Sequence, residues 1–177
     1  MRISLIGFTG VGKTQIGRVL ADRLGSAFFD VDGAIENRTG QSVTELLGKY
    51  GVEEFRNLET QVIADLTEKN GSCVIATGGG TLNRPANRTR LKKATRAVWL
   101  KAKPETIWHR IQDKPYVAPL FFTRQDPLMA IRAEMSRREP QYEEVAEFAV
   151  EIDGKEPEEV AENIEKALTT KEGALPK

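Results

Sequence analysis

Ile3-Ser4-Leu5-Ile6-Gly7-Phe8-Thr9-Gly10-Val11-Gly12-Lys13-Thr14 is a short apolar run that passes at once into a glycine-rich loop. The loop reads G-x-x-x-x-G-K-[ST], and a helical pattern with Ile16, Val19, Leu20 and Leu24 on one face follows it. Strand, loop and helix in that order form a cradle for a phosphate chain: backbone N–H groups wrap the anion and the helix N-terminus adds its positive end. Glycine at 7, 10 and 12 keeps side chains from blocking that approach. Lys13 is expected to reach the β- and γ-phosphates and the Thr14 hydroxyl to bind Mg²⁺. Gly10, Val11, Gly12, Lys13, Thr14 and Gln15 are the expected contacts of a nucleoside triphosphate, ATP with Mg²⁺.

Working outward, short apolar runs at 3–6, 27–31, 73–76, 97–101 and 148–152 alternate with helical patterns. The helical patterns cover 13–24, 43–50, 53–69, 84–94, 104–110, 126–139 and 157–168. Alternating β and α elements predict an α/β fold, a parallel sheet with helices on both faces. The 177 residues suit one domain, 1–177, with no internal repeat. Residues 169–177 lack apolar periodicity and are expected to fray. Residues 112–125, with Pro115, Pro119, Phe121, Phe122 and Arg124, are too punctuated for a tight connection and predict a lid over the phosphates.

Composition narrows the partners. Lys plus Arg total 26 and Asp plus Glu total 26, so the formal charge is zero and a nucleic-acid partner is not expected. Cys73 is the only cysteine, which excludes an internal disulfide and points to a reducing, cytoplasmic setting. No run approaches the roughly 20 apolar residues of a membrane helix, so no membrane partner is expected. The N-terminal apolar run is too short for a signal peptide.

Three further groups carry chemistry. Asp30 and Asp32 end the second strand pattern, where extended residues two apart point the same way. Ligands in open α/β sheets bind beyond the carboxyl ends of strands. Two acids there can divide the work, one holding Mg²⁺ through water and one orienting or deprotonating an acceptor hydroxyl. Asp32-Gly33 also reads as a turn, and an Asp here also suits a helix N-cap. Thr77-Gly78-Gly79-Gly80 closes the third strand and predicts a bare-backbone substrate surface. Arg56, in a helix after Gly51, and one of the pair Arg137-Arg138 are candidates to clamp an anionic group such as a carboxylate. Adjacent helical residues diverge by about 100°, so only one of that pair is expected to face the site. His109, the only histidine, is not required, because phosphoryl transfer rests on positioning and electrostatics.

Taken in order, Phe29-Asp30-Val31-Asp32, Ile35-Glu36, Gly40-Gln41-Ser42-Val43, Gly51, Phe55-Arg56, Glu59, Gly78-Gly79-Gly80 and Arg137-Arg138-Glu139-Pro140-x-Tyr142 resemble the shikimate kinases. These belong to the nucleoside-monophosphate-kinase-like branch of P-loop proteins, and the resemblance runs from Ile3 to about Leu168. It implies a three-layer α/β/α P-loop kinase fold, a five-stranded parallel sheet of order 2-3-1-4-5, a substrate-binding section at about 32–60 and a lid. It also implies ATP-dependent phosphorylation of shikimate to shikimate 3-phosphate in chorismate biosynthesis, by an enzyme able to work as a monomer. Asp30 would hold Mg²⁺ through water, and Asp32 would bind the ring hydroxyls and orient the attacking one. Arg56 and Arg138 would grip the carboxylate with Gly78, Gly79 and Gly80 as neighbouring backbone contacts, and Glu59 would hold Arg56. Arg110 and Pro157 would sandwich the adenine.

Two positions depart from the family pattern. The lid stretch that usually reads Arg-Pro-Leu-Leu is Ala118-Pro119-Leu120-Phe121 here, so the lid arginine is missing, and Arg124 or Lys114 are the candidates to replace it. Val52 stands where glutamate is frequent, beside Glu53 and Glu54. Ala118 therefore keeps two other readings open: a kinase of another small hydroxy acid or polyol, and a nucleotide-binding regulator with weak transfer activity.

Overall fold

A computed structural model of the chain describes residues 1–113 and 125–170. Lys114, Ala118 and Arg124, with nearly all of the expected lid, lie outside the described residues, as does 171–177.

Five parallel strands form one sheet: β1 (Arg2–Ile6), β2 (Ala27–Asp30), β3 (Cys73–Ala76), β4 (Arg96–Lys101) and β5 (Phe148–Glu151). Their order is β2-β3-β1-β4-β5, as the resemblance implied. β1 is central, pairing Leu5 with Ala76 of β3 on one side and with Val98 of β4 on the other. Such a strand is buried on both faces, which is why it reads as a continuous apolar run rather than an alternating one.

The helices are α1 (Lys13–Arg23), α2 (Val31–Thr39), α3 (Val43–Glu68), α4 (Pro85–Ala94), α5 (Pro104–Ile111), α6 (Pro127–Val145) and α7 (Pro157–Thr169), with a 3₁₀ turn at Thr81–Asn83. One apolar layer joins Ile3, Leu5, Val98 and Leu100 to Leu20, Ile107 and Ile164 of α1, α5 and α7. On the other face Ile6, Ile75 and Trp99 meet Ile35, Ile63, Leu91 and Tyr142 of α2, α3, α4 and α6. Helices thus cover both faces, as expected for a parallel sheet. Among the described residues no helix is long and apolar enough to cross a membrane.

Three local readings need correction. Asp30 and Asp32 do not share an extended strand: β2 stops at Asp30, and Asp32 lies in the first turn of α2. Asp30 caps that helix, its Oδ1 accepting from the Gly33 N–H at 3.2 Å, so Asp32-Gly33 is helical and not a turn. The patterns at 43–50 and 53–69 merge into α3, kinked at Gly51 (φ 81°, ψ 174°). Ser42 and Glu45 start α3 with a reciprocal capping box. Finally, α6 does not end before Pro140 but runs to Val145. Tyr142 and Val145 are buried beyond the proline, and Tyr142 stacks on Trp99 with ring centroids 5.4 Å apart. That packing outweighs the helix bond a proline removes.

Thr169 closes α7, its hydroxyl donating to the Glu165 carbonyl oxygen at 3.2 Å, so order extends to the first residue of the segment expected to fray.

Candidate active site

The loop from Gly7 to Gly12 leaves the carboxyl end of β1, and three of its glycines have positive φ. Gly10 (φ 82°) and Gly12 (φ 99°) adopt left-handed backbone, which a side chain would strain. Around this loop opens a cleft of about 960 Å³. Its lining includes Gly10, Gly12, Lys13, Thr14 and Gln15, then Asp30, Asp32, Gly78 and Gly79, and also Arg110 and Pro157. The cleft is thus bounded by the carboxyl ends of β1, β2 and β3, the position where open α/β sheets take ligands.

Lys13 is buried, and its Nζ donates to the carbonyl oxygens of Gly7 (2.8 Å) and Phe8 (2.9 Å). The ammonium is held against the loop's own backbone. Burial draws its pKa down to about 8, and Arg138 lowers it further, while Asp32 and Asp30 oppose the shift. Thr14 Oγ1 donates to Asp30 Oδ2 at 2.6 Å, which places two oxygen donors side by side at the start of α1. Oxygen donors of this kind suit a hard divalent cation such as Mg²⁺.

Asp32, the second of the paired acids, also lines the cleft. Burial raises its pKa to about 6, with Asp30 and Glu59 adding to the rise and Lys13 and Arg56 working against it. A carboxyl poised there exchanges its proton near neutral pH, as a group that takes a proton from a hydroxyl must.

Gly78-Gly79-Gly80, expected to face the acceptor, is packed by side chains from other elements. Arg138 Nη1 donates to the Gly79 carbonyl oxygen at 2.6 Å, and its guanidinium lies 5.2 Å from the centre of the Phe8 ring. A Cβ on Gly80 would fall 2.2 Å from Arg56 Nη2, and one on Gly79 only 1.9 Å from Thr9 Oγ1. A Cβ on Gly78 would meet Glu59 Oε1 at 2.8 Å. The run of glycines is therefore a close-packed surface that admits the chain's own side chains. Two guanidinium groups stand against consecutive glycines.

Arg56 is fixed from below. Its Nη1 donates to Glu59 Oε2 at 2.7 Å, and the fully buried Glu59 also accepts from Thr81 Oγ1 at 2.6 Å. Arg138 and Arg137 part as their helical spacing requires. Arg138 turns in toward Gly79, while Arg137 is exposed and pairs with Glu134.

Arg110 Nη1 donates to the Val11 carbonyl oxygen of the loop at 2.9 Å, and Pro157, the first residue of α7, also lines the cleft. His109 is exposed on the rim. Sequence reasoning assigned no individual role to Thr9 and Glu36, which figure only within motifs, nor to Thr81, Glu134 and Lys155. Glu134 had a usable signal, because it precedes Arg138 by four residues on a helix. Thr9 and Thr81 had none, since their partners are remote in sequence.

Comparison with known proteins gives a consistent result. The family model described as shikimate kinase matches residues 9–169. A shikimate kinase of Thermodesulfovibrio yellowstonii is 40% identical over 162 residues, covering 92% of this chain and 91% of that protein. The solved shikimate kinase of Acinetobacter baumannii in complex with shikimate superposes with a TM-score of 0.87 at 34% identity, covering 94% of this chain and 92% of that one. The shikimate kinase of Aquifex aeolicus superposes with a TM-score of 0.82 at 34% identity, over 95% of this chain and 96% of that one.

Proposed function

The chain belongs to the shikimate kinase family, and on that premise we propose how its residues divide the work of ATP-dependent phosphorylation of shikimate to shikimate 3-phosphate. ATP with Mg²⁺ supplies the transferable phosphoryl group and much of the neutralising charge. Thr14 and Asp30 hold the metal: their oxygens already lie 2.6 Å apart. The Gly10–Gln15 backbone wraps the phosphates. Lys13 exchanges the Gly7 and Phe8 carbonyls for β- and γ-phosphate oxygens. Arg110 and Pro157 flank the base.

Arg56 and Arg138 take the acceptor carboxylate, with the backbone of Gly78, Gly79 and Gly80 beside them. Asp32 accepts a hydrogen bond from the attacking hydroxyl and receives its proton as the phosphoryl group is transferred. The observation that carries this assignment is the pair of restrained guanidiniums, Arg138 bonded to the Gly79 carbonyl oxygen and Arg56 packed on Gly80, beside the cleft that Lys13, Asp32 and Gly79 line. Such an arrangement fixes an anionic acceptor before chemistry, and phosphoryl transfer depends chiefly on that positioning. On the sequence alone, Arg124 is the candidate to supply the charge absent at Ala118.

A monomeric enzyme is proposed, as the family resemblance implies. Cys73 is free and buried, which suits a reducing compartment, and the proposed location is the cytoplasm. The test is ADP release from Mg-ATP with shikimate, beside controls with quinate and with no acceptor. Release that depends on shikimate is expected. Binding of ATP with equal ADP release in all three conditions would overturn the assignment.

A further inference from the structure

Glu134 stands outside the roles assigned so far, yet it makes the densest set of charged contacts near the acceptor side. Its Oε1 accepts from Arg138 Nε at 2.7 Å and from Arg137 Nη2 at 2.6 Å, and its Oε2 accepts from Arg137 Nε at 2.8 Å. The three residues lie on one face of α6 at spacings of three and four. We propose that Glu134 is a positioning residue for acceptor recognition, setting the orientation of the Arg138 guanidinium so that its free edge meets the substrate carboxylate.

The geometry supports this as follows. The Arg138 guanidinium is restrained at three points: Nε by Glu134, Nη1 by the Gly79 carbonyl oxygen, and one flat face by the Phe8 ring. The Tyr142 hydroxyl also lies against this group. Nε and one proton of Nη1 are engaged, so the Nη1–Nη2 edge is the fork that can meet a carboxylate with two hydrogen bonds. Gly79, Phe8 and Tyr142 meet the group at its tip and face, and Glu134 is the contact among the described residues that fixes its Nε. That contact is in place before substrate arrives, and a donor fixed in advance loses less entropy on binding.

Arg137 has a different part. It is exposed, reaches none of the cleft residues, and shares Glu134 with Arg138. Its hydrogen bonds, followed by those of Arg138, hold the Glu134 carboxyl down at about 2, so Glu134 is ionised wherever the enzyme works.

This inference rests on Arg138 binding the acceptor carboxylate, and charge alone makes the opposite prediction. Glu134 is an anion near an anion site, so removing it without any positioning effect would leave shikimate binding unchanged or tighten it. Positioning requires the reverse sign.

The experiment is steady-state kinetics on Glu134→Ala, Glu134→Gln, Arg137→Ala, Arg138→Ala and the Glu134→Ala/Arg138→Ala double variant, with thermal unfolding as a check on folding. Glu134→Ala is expected to raise the KM for shikimate about tenfold, the scale of one lost hydrogen bond to a charged group. The KM for ATP should not move, and kcat should stay within about twofold. Glu134→Gln keeps an acceptor oxygen and the shape, so its rise should be smaller. Arg137→Ala should leave shikimate KM unchanged. In the Arg138→Ala background, Glu134→Ala should add nothing, since its effect passes through that arginine. If Arg138→Ala raises the KM while both Glu134 variants leave it unchanged or lower it, the positioning role is overturned and the Arg138 assignment stands. If Arg138→Ala itself leaves shikimate KM unchanged, that assignment fails and this inference with it.

Discussion

Thr81 Oγ1 donates to Glu59 Oε1 at 2.6 Å, and both residues are fully buried. The other oxygen of the same carboxylate holds Arg56, so Thr81, Glu59 and Arg56 form a chain from the 3₁₀ turn to the acceptor side of the cleft. Thr81→Val keeps the side-chain shape and deletes the donor. Leaving the buried oxygen short of a partner should cost about 1–3 kcal/mol of stability. It should also loosen Arg56 and raise the KM for shikimate while sparing that for ATP. Urea unfolding and steady-state kinetics check both. A stability loss with unchanged shikimate KM would show that Glu59 orients Arg56 without help from Thr81.

The pH dependence follows from two shifted groups. Asp32 is raised from 3.8 to about 6 and Lys13 lowered from 10.5 to about 8, each chiefly by burial. As acceptor of the hydroxyl proton Asp32 must be ionised, and on the phosphates Lys13 must be charged. Hence kcat/KM for shikimate should climb as pH rises through about 6 and decline as it rises through about 8. Stability carries the opposite sign for Asp32. Between pH 3.8 and about 6 the folded chain holds a proton that the unfolded chain has released, so stability falls as pH rises across that window. The rise from 3.8 to about 6 corresponds to about 3 kcal/mol at most. Asp32→Asn should therefore abolish the acid limb and most turnover, yet raise the midpoint of urea unfolding at pH 7.5. If the substitution destabilises the protein there, burial of Asp32 is not the strain proposed.

Much of this was legible in the sequence where the signal is local. The phosphate loop declares itself because strand, glycines and Lys13-Thr14 are contiguous, and β3 and β4 because their apolar runs are short and sharply bounded. Helix α2 was missed: only Val31 and Ile35 of its residues are buried, too few to set up a helical period, and Asp32-Gly33 mimics a turn. Pro140 misled in the other direction, because its neighbours Tyr142 and Val145 anchor the helix through contacts with distant strands. Gly51 was readable as a break, but the sequence does not say that the chain resumes as helix at once beyond it. The site divides in the same way. Lys13 and Thr14 are adjacent in one motif and Asp30 marks a strand end, whereas Thr9 against Gly79 and Thr81 against Glu59 are pairings made only by the fold.

Those pairings separate the two substrates. An added Cβ at Gly80 meets the far end of the Arg56 side chain, with Nη2 at 2.2 Å and Cζ at 2.9 Å. At Gly79 it meets Thr9 Oγ1 at 1.9 Å, and also Thr9 Cβ and the Thr9 backbone nitrogen at 3.1 Å each, which belong to the phosphate loop. Neither glycine has a positive φ, so alanine strains no backbone dihedral. Gly80→Ala should displace Arg56 and raise the KM for shikimate about tenfold or more with little change for ATP. Gly79→Ala should push on the loop and raise the KM for ATP as well. The double dissociation is read by varying each substrate in turn. Equal effects of both substitutions on both constants would mean that the glycine run moves as one body.

Thr14 and Asp30 give the clearest prediction about the metal. The 2.6 Å bond between Thr14 Oγ1 and Asp30 Oδ2 sets both oxygens before the cation binds. Thr14→Val keeps the branched shape and removes one donor oxygen together with the bond that orients the other. Asp30 would still cap α2 through Gly33, so unfolding should change little. The Mg²⁺ concentration for half-maximal turnover should rise by about 10–100-fold, the usual scale when support for a metal ligand is lost. Thr14→Ser, which restores the hydroxyl, should recover most of that difference. Titration of activity with Mg²⁺ at saturating ATP and shikimate decides it. An unchanged midpoint in Thr14→Val would take Thr14 out of the metal site and leave it as a first-turn residue of α1 bonded to Asp30.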